Sequence, residues 1–198
     1  MVGSHQLLPT KHYHKMTESD LLQACQRHDL RAQTALYNLY KSRLMGLCRR
    51  YARNKPEAED MFHEGFIRIF QQLHTLKQSD KLLPWMKRVM VNTAINVYHK
   101  NIKQQAESAL EDAWQHASAN LSDTLSRLST EELLNVIEQL PDGYRMVFNL
   151  YVIDGYNHIE ISRLLDIAEG TSKSQLARAK SLLKTKLKTL GIINYEES

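Results

Sequence analysis

Helical periodicity runs through almost every segment of this chain of 198 residues, and it excludes most folds at once. Apolar residues return at three- and four-residue steps. They are Leu36, Leu39, Tyr40, Leu44, Leu47 and Tyr51 within residues 31–53, then Ala58, Phe62, Gly65, Phe66, Ile69 and Leu73 within 57–76. Leu83, Met86, Met90, Ala94 and Val97 continue the pattern within 82–103. Such spacing lines one face of a helix. No segment alternates apolar and polar residues as a half-buried strand does, and no hairpin dipeptide lies between β-branched runs. Breaks fall at Asn54-Lys55-Pro56, Pro141-Asp142-Gly143, Asp154-Gly155 and Gly191, all helix-ending or turn chemistry. The expected fold class is all-α.

Composition divides the chain into two small helical domains. Residues 1–16 read as a flexible N-terminal tail. A first domain spans 17–103, opened by a cap at Thr17-Glu18-Ser19-Asp20. Residues 104–128 are rich in Ala, Ser, Asn and Gln and more acidic than their flanks, which suits a flexible linker with local helix possible around Leu110 to Trp114. A second domain spans 129–192, with Ser129-Thr130-Glu131-Glu132 as a capping box before Leu133, Val136, Ile137 and Leu140.

The formal net charge of +4 is mild, and the basic residues are locally concentrated, so a nucleic-acid partner is allowed but not required. Cys25 and Cys48 have no metal-type spacing and read as small buried hydrophobes. His5, His12 and His14 lack further clustered ligands, so no metal site is expected. No apolar run reaches membrane-spanning length, and the N-terminus lacks a signal-peptide core, which makes the cytoplasm the default location without direct membrane insertion. There is no phosphate-cradling glycine loop, no HExxH and no GxSxG. No catalytic constellation and no cofactor are expected.

The chemistry concentrates in residues 156–187. Ile159, Ile161, Leu164 and Leu165 mark one helix, and Asp166-Ile167 a turn. A second helix opens at Glu169-Gly170-Thr171, with Leu176, Ala179 and Leu183 at helical spacing. Its other face carries Lys173, Gln175, Arg178, Lys180, Lys184, Lys186 and Lys188, and no acid interrupts it from Thr171 to Leu190. A helix-turn-helix uses its second helix in this way, reading base edges with its first residues. An ordinary helical hairpin with a solvated basic face fits the same spacing. Likewise, Asp60, His63, Glu64 and Gln71 on one face of the 57–76 helix fit either a solvated acidic face or a docking surface for a basic partner. In 82–103, Arg88, Asn92, His99 and Lys103 form a second stripe beside Trp85, a combination that suits unpaired bases.

The segment EISRLLDIAEGTSKSQLARAK resembles the promoter-reading helix-turn-helix of sigma-70-family factors, in which a pattern like EIAxxLGISEGTVKSRLxRAR recurs. Ile161, Leu165, Ile167, Glu169, Gly170, Thr171, Lys173, Ser174, Leu176, Arg178 and Ala179 fit. Asp166 stands where Gly is usual, Ala168 replaces the capping Ser, and Ser172 replaces an apolar residue, so weaker core contact is expected there. LPDGYRMVFNLYVIDGYNHIEI is close to the family's LPxxxRxVFxLxxxxGxSxxEIA pattern, and Met146, Val147, Leu150 and Tyr151 are expected to pack beneath the helix-turn-helix. EAEDMFHEGFIRIF is similar to the DAEDLVQETFLKVW-type stretch of sigma region 2, and PWMKRVMVNTAINVY to its TWLYRIAxNxAxDYxR segment.

Two such patterns in the family's order, without room for further domains, resemble the extracytoplasmic-function (ECF) group. The resemblance implies a factor that binds core RNA polymerase and directs promoter-specific initiation. Asp60, His63 and Glu64 would dock on the β′ clamp helices, and surface apolar groups of the second domain would meet the β flap. Thr171, Lys173, Ser174, Gln175 and Arg178 would read the −35 duplex of promoter DNA. Leu76, Lys77, Arg88, Asn92 and Lys103 would hold the melted −10 strand, with Trp85 bracing the loop. An anti-sigma factor is a further implied partner. The competing readings are a stand-alone helix-turn-helix regulator, which would bind paired operator half-sites without polymerase, and a helical enzyme using the histidines with a metal.

Overall fold

The computed structural model describes residues 17–106 and 130–190, and these are helical with no strand among them. The tail 1–16, the expected helix at Leu110 to Trp114 and most of the expected linker lie outside the described residues. Four helices form a first unit: α1 (Glu18–Gln26), α2 (Leu30–Tyr51), α3 (Lys55–Gln72) and α4 (Leu82–Ala106). Four more form a second: α5 (Thr130–Glu138), α6 (Asp142–Phe148), α7 (His158–Leu165) and α8 (Glu169–Thr189).

Helix starts follow cap chemistry. Thr17 and Asp20 form a reciprocal capping box on α1. The Asp29 carboxylate accepts from the Arg31 and Ala32 amides to open α2, and Asn54 caps α3, with Pro56 in its first turn. Between α3 and α4 the chain makes two 3₁₀ turns, Leu73–Thr75 and Ser79–Lys81, so the 57–76 period ends in a turn rather than as one continuous helix.

The first core stacks α3 against α2 and α4. Phe62 and Phe66 lie edge-on to each other at 4.8 Å, and Tyr37 joins Phe66 at 4.8 Å. Gly65 faces Met90 so closely that a Cβ there would sit 2.2 Å from the sulfur. Leu39, expected in the α2 stripe, is 50% exposed instead. Its neighbour Tyr40 is buried, with its hydroxyl donating to Glu18 of α1 at 2.6 Å.

In the second unit α6 runs into a π turn at Asn149–Ile153 before Gly155, at φ +78, releases the chain. Asn157 and Glu160 make the capping box of α7, and Asp166 ends it in the left-handed conformation at φ 53. Ile161, Leu165, Leu176, Ala179 and Leu183 are buried with Met146, Val147 and Leu150. Tyr151 departs from expectation: the π turn rotates it outward, where it stacks on His158 at 4.4 Å. Ser172 departs in the other direction, being fully buried, with its hydroxyl 2.9 Å from His158 Nδ1. A side-chain hydrogen bond replaces the apolar contact that a larger residue would make.

The two units pack against each other where α2 ends. The last carbonyls of a helix lack intrahelical partners. Here Asn149 Nδ2 donates to Arg50 O at 2.8 Å, and Arg145 Nε donates to Tyr51 O at 3.1 Å. The second unit thus caps a helix of the first. The Tyr51 hydroxyl donates to Asp154, and Arg50 pairs with the same carboxylate at 3.5 Å. At a second point His99 Nε2 bonds Leu164 O at 2.9 Å, joining α4 to α7.

Candidate nucleic-acid and polymerase interface

The helix-turn-helix presents its first α8 turn to solvent. Thr171 and Lys173 are exposed, and Lys173 leans on Glu169 at 2.6 Å. That exposed pair contributes little to stability, so the lysine can exchange partners. The attraction holds the Glu169 carboxyl below its usual range. Ser174 is half-buried and donates to Thr171 O at 3.0 Å. Gln175 and Arg178 are half-buried and turn toward α6: the Gln175 amide lies against Gly143, and Arg178 Nη1 donates to the Tyr144 hydroxyl at 3.3 Å. Gln175 Oε1 and Arg178 Nε are buried without a hydrogen-bond partner. Thr171, Ser174, Gln175 and Arg178 thus share one face of α8, Lys173 lies on the other side, and the five are unequally accessible.

The loop before α4 is braced from α1. Gln26 Nε2 donates to both Leu73 O at 3.0 Å and Leu76 O at 2.9 Å. The brace fixes the turn that carries Lys77, and an open hollow of ≈ 620 Å³ lies beside it, lined by Gln23, Gln26, His74, Lys77 and Asp80 among others. Lys77, Arg88, Asn92 and Lys103 are exposed, Leu76 is half-buried, and Trp85 packs partly on the core. Sequence reasoning missed Gln26; its only signal was a long polar side chain at the end of an apolar helix.

Asp60, His63 and Glu64 are exposed on one face of α3, and Glu64 reaches Arg68 at 2.6 Å. Ile67, 57% exposed, extends this acidic face with an apolar contact. Next to it Glu57 ties α3 to α4. Burial pushes its carboxyl pKa up, but bonds from Arg53 and Asn101 outweigh that and leave it lowered. No group of three or more metal-binding side chains occurs among the described residues, and His5, His12 and His14 lie outside them. Among the described residues no helix is long and apolar enough to cross a membrane.

A helix-turn-helix whose second helix is basic, joined to a helical bundle with acidic side chains exposed on α3, is the architecture of a DNA-binding transcription protein. Residues 36–104 match the family model of sigma-70 region 2, and residues 130–183 that of sigma-70 region 4. The chain is 31% identical over 165 residues to the ECF RNA polymerase sigma factor SigW of Bacillus subtilis, covering 78% of this chain and 88% of that one. It is 26% identical over 187 residues to the ECF RNA polymerase sigma-E factor of Escherichia coli K12, covering 89% and 97%. Among solved structures, CnrH in complex with the cytosolic domain of CnrY matches with a TM-score of 0.46 and 16% identity, over 87% of this chain and 97% of that one. This chain belongs to the ECF sigma factors of the sigma-70 family and directs transcription initiation.

Proposed function

We propose that the chain delivers core RNA polymerase to its promoters through four surfaces. Asp60, His63 and Glu64 on α3 dock on the β′ clamp helices. Asp60 and Glu64 are four residues apart and so project together, and a cluster of acids attracts a basic partner over a Debye length. The first turns of α8, through Thr171, Lys173, Ser174, Gln175 and Arg178, read the −35 duplex. Leu76, Lys77, Arg88, Asn92 and Lys103 hold the melted −10 strand. Extruding a base from the stack costs a few kcal/mol, and the core enzyme's own contacts share that cost. Tyr151, Val152, Ile153 and Ile159 form an exposed apolar patch on the second unit that suits the β flap. The protein acts in the cytoplasm, and an anti-sigma factor would have to cover these same faces.

The observation that carries the reading is the accessible acidic face of α3, which a stand-alone operator-binding regulator does not need. Purified protein mixed with sigma-free bacterial core polymerase should co-elute from a sizing column. Asp60→Arg with Glu64→Arg should abolish co-elution while leaving helix content unchanged. Retained binding would move the docking face elsewhere. Failure of the unaltered chain to bind its cognate core, together with tight operator binding alone, would favour the regulator.

A further inference from the structure

We propose that Gly143 and Tyr144, at the start of α6, are positioning residues for promoter specificity: they hold Gln175 and Arg178 of α8 in fixed poses and so set how sharply the chain discriminates between bases. The inference rests on the duplex-reading role given above for Gln175 and Arg178, and adds the residues that aim them. Neither Gly143 nor Tyr144 belongs to the two helices of the helix-turn-helix.

The floor under Gln175 is a glycine. A Cβ on Gly143 would lie 2.9 Å from Gln175 Nε2, 3.3 Å from its Cδ and 3.4 Å from its Oε1. The whole amide group therefore rests on this one bare Cα. Gly143 lies within α6 and takes no positive φ, so its backbone does not call for glycine, whereas the space above it does. Arg178 is held beside it. Its Nη1 donates to the Tyr144 hydroxyl at 3.3 Å, and Tyr144 itself packs against the core. A guanidinium presents its donors in a fixed fork, so engaging one of them orients the rest. The ledge is rigid as well. Arg145, the next residue, is buried and donates to Leu140 O and to the Asp142 carboxylate, both at 2.6 Å. Gly143 and Tyr144 thus lie between two anchored residues.

The hold matters for these two residue types in particular. Glutamine and arginine match the edges of adenine and guanine with two groups at once, which demands a set orientation. A side chain already held in one pose loses less rotamer freedom on binding, and it cannot swing aside to accommodate a wrong base. Lys173 is the contrast. It is exposed, touches neither Gly143 nor Tyr144, and pairs with the exposed Glu169. A point charge on a flexible stem follows a phosphate without needing an orientation. Loosening the ledge should therefore blunt discrimination more than it lowers affinity.

The test uses the full-length chain with core RNA polymerase on a promoter library randomised at the −35 element, followed by competition between the preferred promoter and its single mismatches. Gln175→Ala and Arg178→Ala first locate the base pair that each residue reads. Gly143→Ala should then lower the preferred-to-mismatched ratio at the Gln175 pair, and Tyr144→Phe at the Arg178 pair, each by about threefold or more, the worth of one net hydrogen bond. Binding of the preferred promoter should fall by less. Alanine suits a helical backbone, so Gly143→Ala should melt no lower than the unaltered chain, and Tyr144→Phe keeps the packed ring. Tyr144→Phe combined with Arg178→Ala should be no less selective than Arg178→Ala alone, because a positioning residue acts only through the one it positions. Unchanged ratios in Gly143→Ala and Tyr144→Phe, at pairs that Gln175→Ala and Arg178→Ala do shift, overturn the proposal and leave the reading roles standing. Additive losses in the double variant, or a loss equal for all sequences, overturn it too. If neither Gln175→Ala nor Arg178→Ala shifts any pair, the duplex-reading role falls and the proposal falls with it.

Discussion

Replacing Arg145 with Met should unfold the second unit while sparing the first. The side chain is 3% exposed, and all of its nitrogens are engaged. Nη1 donates to Leu140 O at 2.6 Å and Glu138 O at 3.3 Å, so it closes the end of α5. Nη2 pairs with Asp142 at 2.6 Å at the start of α6, and Nε reaches Tyr51 O. Methionine has similar length but no donor, so three carbonyls and a carboxylate lose their partner at once. Removing one member of a buried, hydrogen-bonded ion pair costs about 3–5 kcal/mol. A helical unit of about 60 residues has only about 3–9 kcal/mol of stability in total at 0.05–0.15 kcal/mol per residue. The loss is therefore comparable to the whole. Thermal melts followed by circular dichroism should separate into two transitions, the lower one reduced by at least about 12 °C at 4–8 °C per kcal/mol. Core-polymerase docking should survive and duplex binding should not. Arg145→Lys should recover only a fraction, because one ammonium cannot span acceptors that a guanidinium fork reaches. A melt of Arg145→Met within 3 °C of the unaltered protein would refute the reasoning and reassign the network as passive packing.

Arg178→Ala should weaken promoter-duplex binding by roughly 1–3 kcal/mol and relax the preference at one base pair; a loss equal for all sequences in a competition assay would make it a phosphate contact. Tyr144→Phe is its control, since it removes the intramolecular partner of Arg178 and leaves the arginine in place. Gln26→Ala should leave core binding intact and impair strand opening, by releasing both carbonyls of the loop that carries Lys77; unchanged permanganate reactivity of the −10 strand would show that the brace is dispensable. The lowered pKa of Glu57 means that its contribution is present above its ordinary value of 4.5 and is lost as pH falls through the lower, folded value. Glu57→Gln should therefore flatten the acid limb of a stability–pH curve, and an unchanged limb would assign the acid loss to other carboxylates.

Periodicity alone located α2, α3 and α4, because each buries a continuous stripe, and a stripe is written in the order of residues. The turn at Asp166 and the missing side-chain cap at Ala168 were equally legible, since both are local backbone chemistry. Periodicity was less reliable where a neighbour decides the face. Leu39 fits the α2 stripe by spacing yet stays exposed, and Tyr151 is turned outward by a π turn that no local signal announces. Gln26, Asn149 and Asp154 carry no motif of their own, and Arg145 was visible only as one position of a pattern. Their partners lie 47, 99, 103 and 94 residues away in the chain. The sequence by itself determined the helices, their order, the basic and acidic faces, and the family. Only the tertiary structure decided which helix ends meet, because an unpaired carbonyl looks the same in every sequence until a distant donor reaches it.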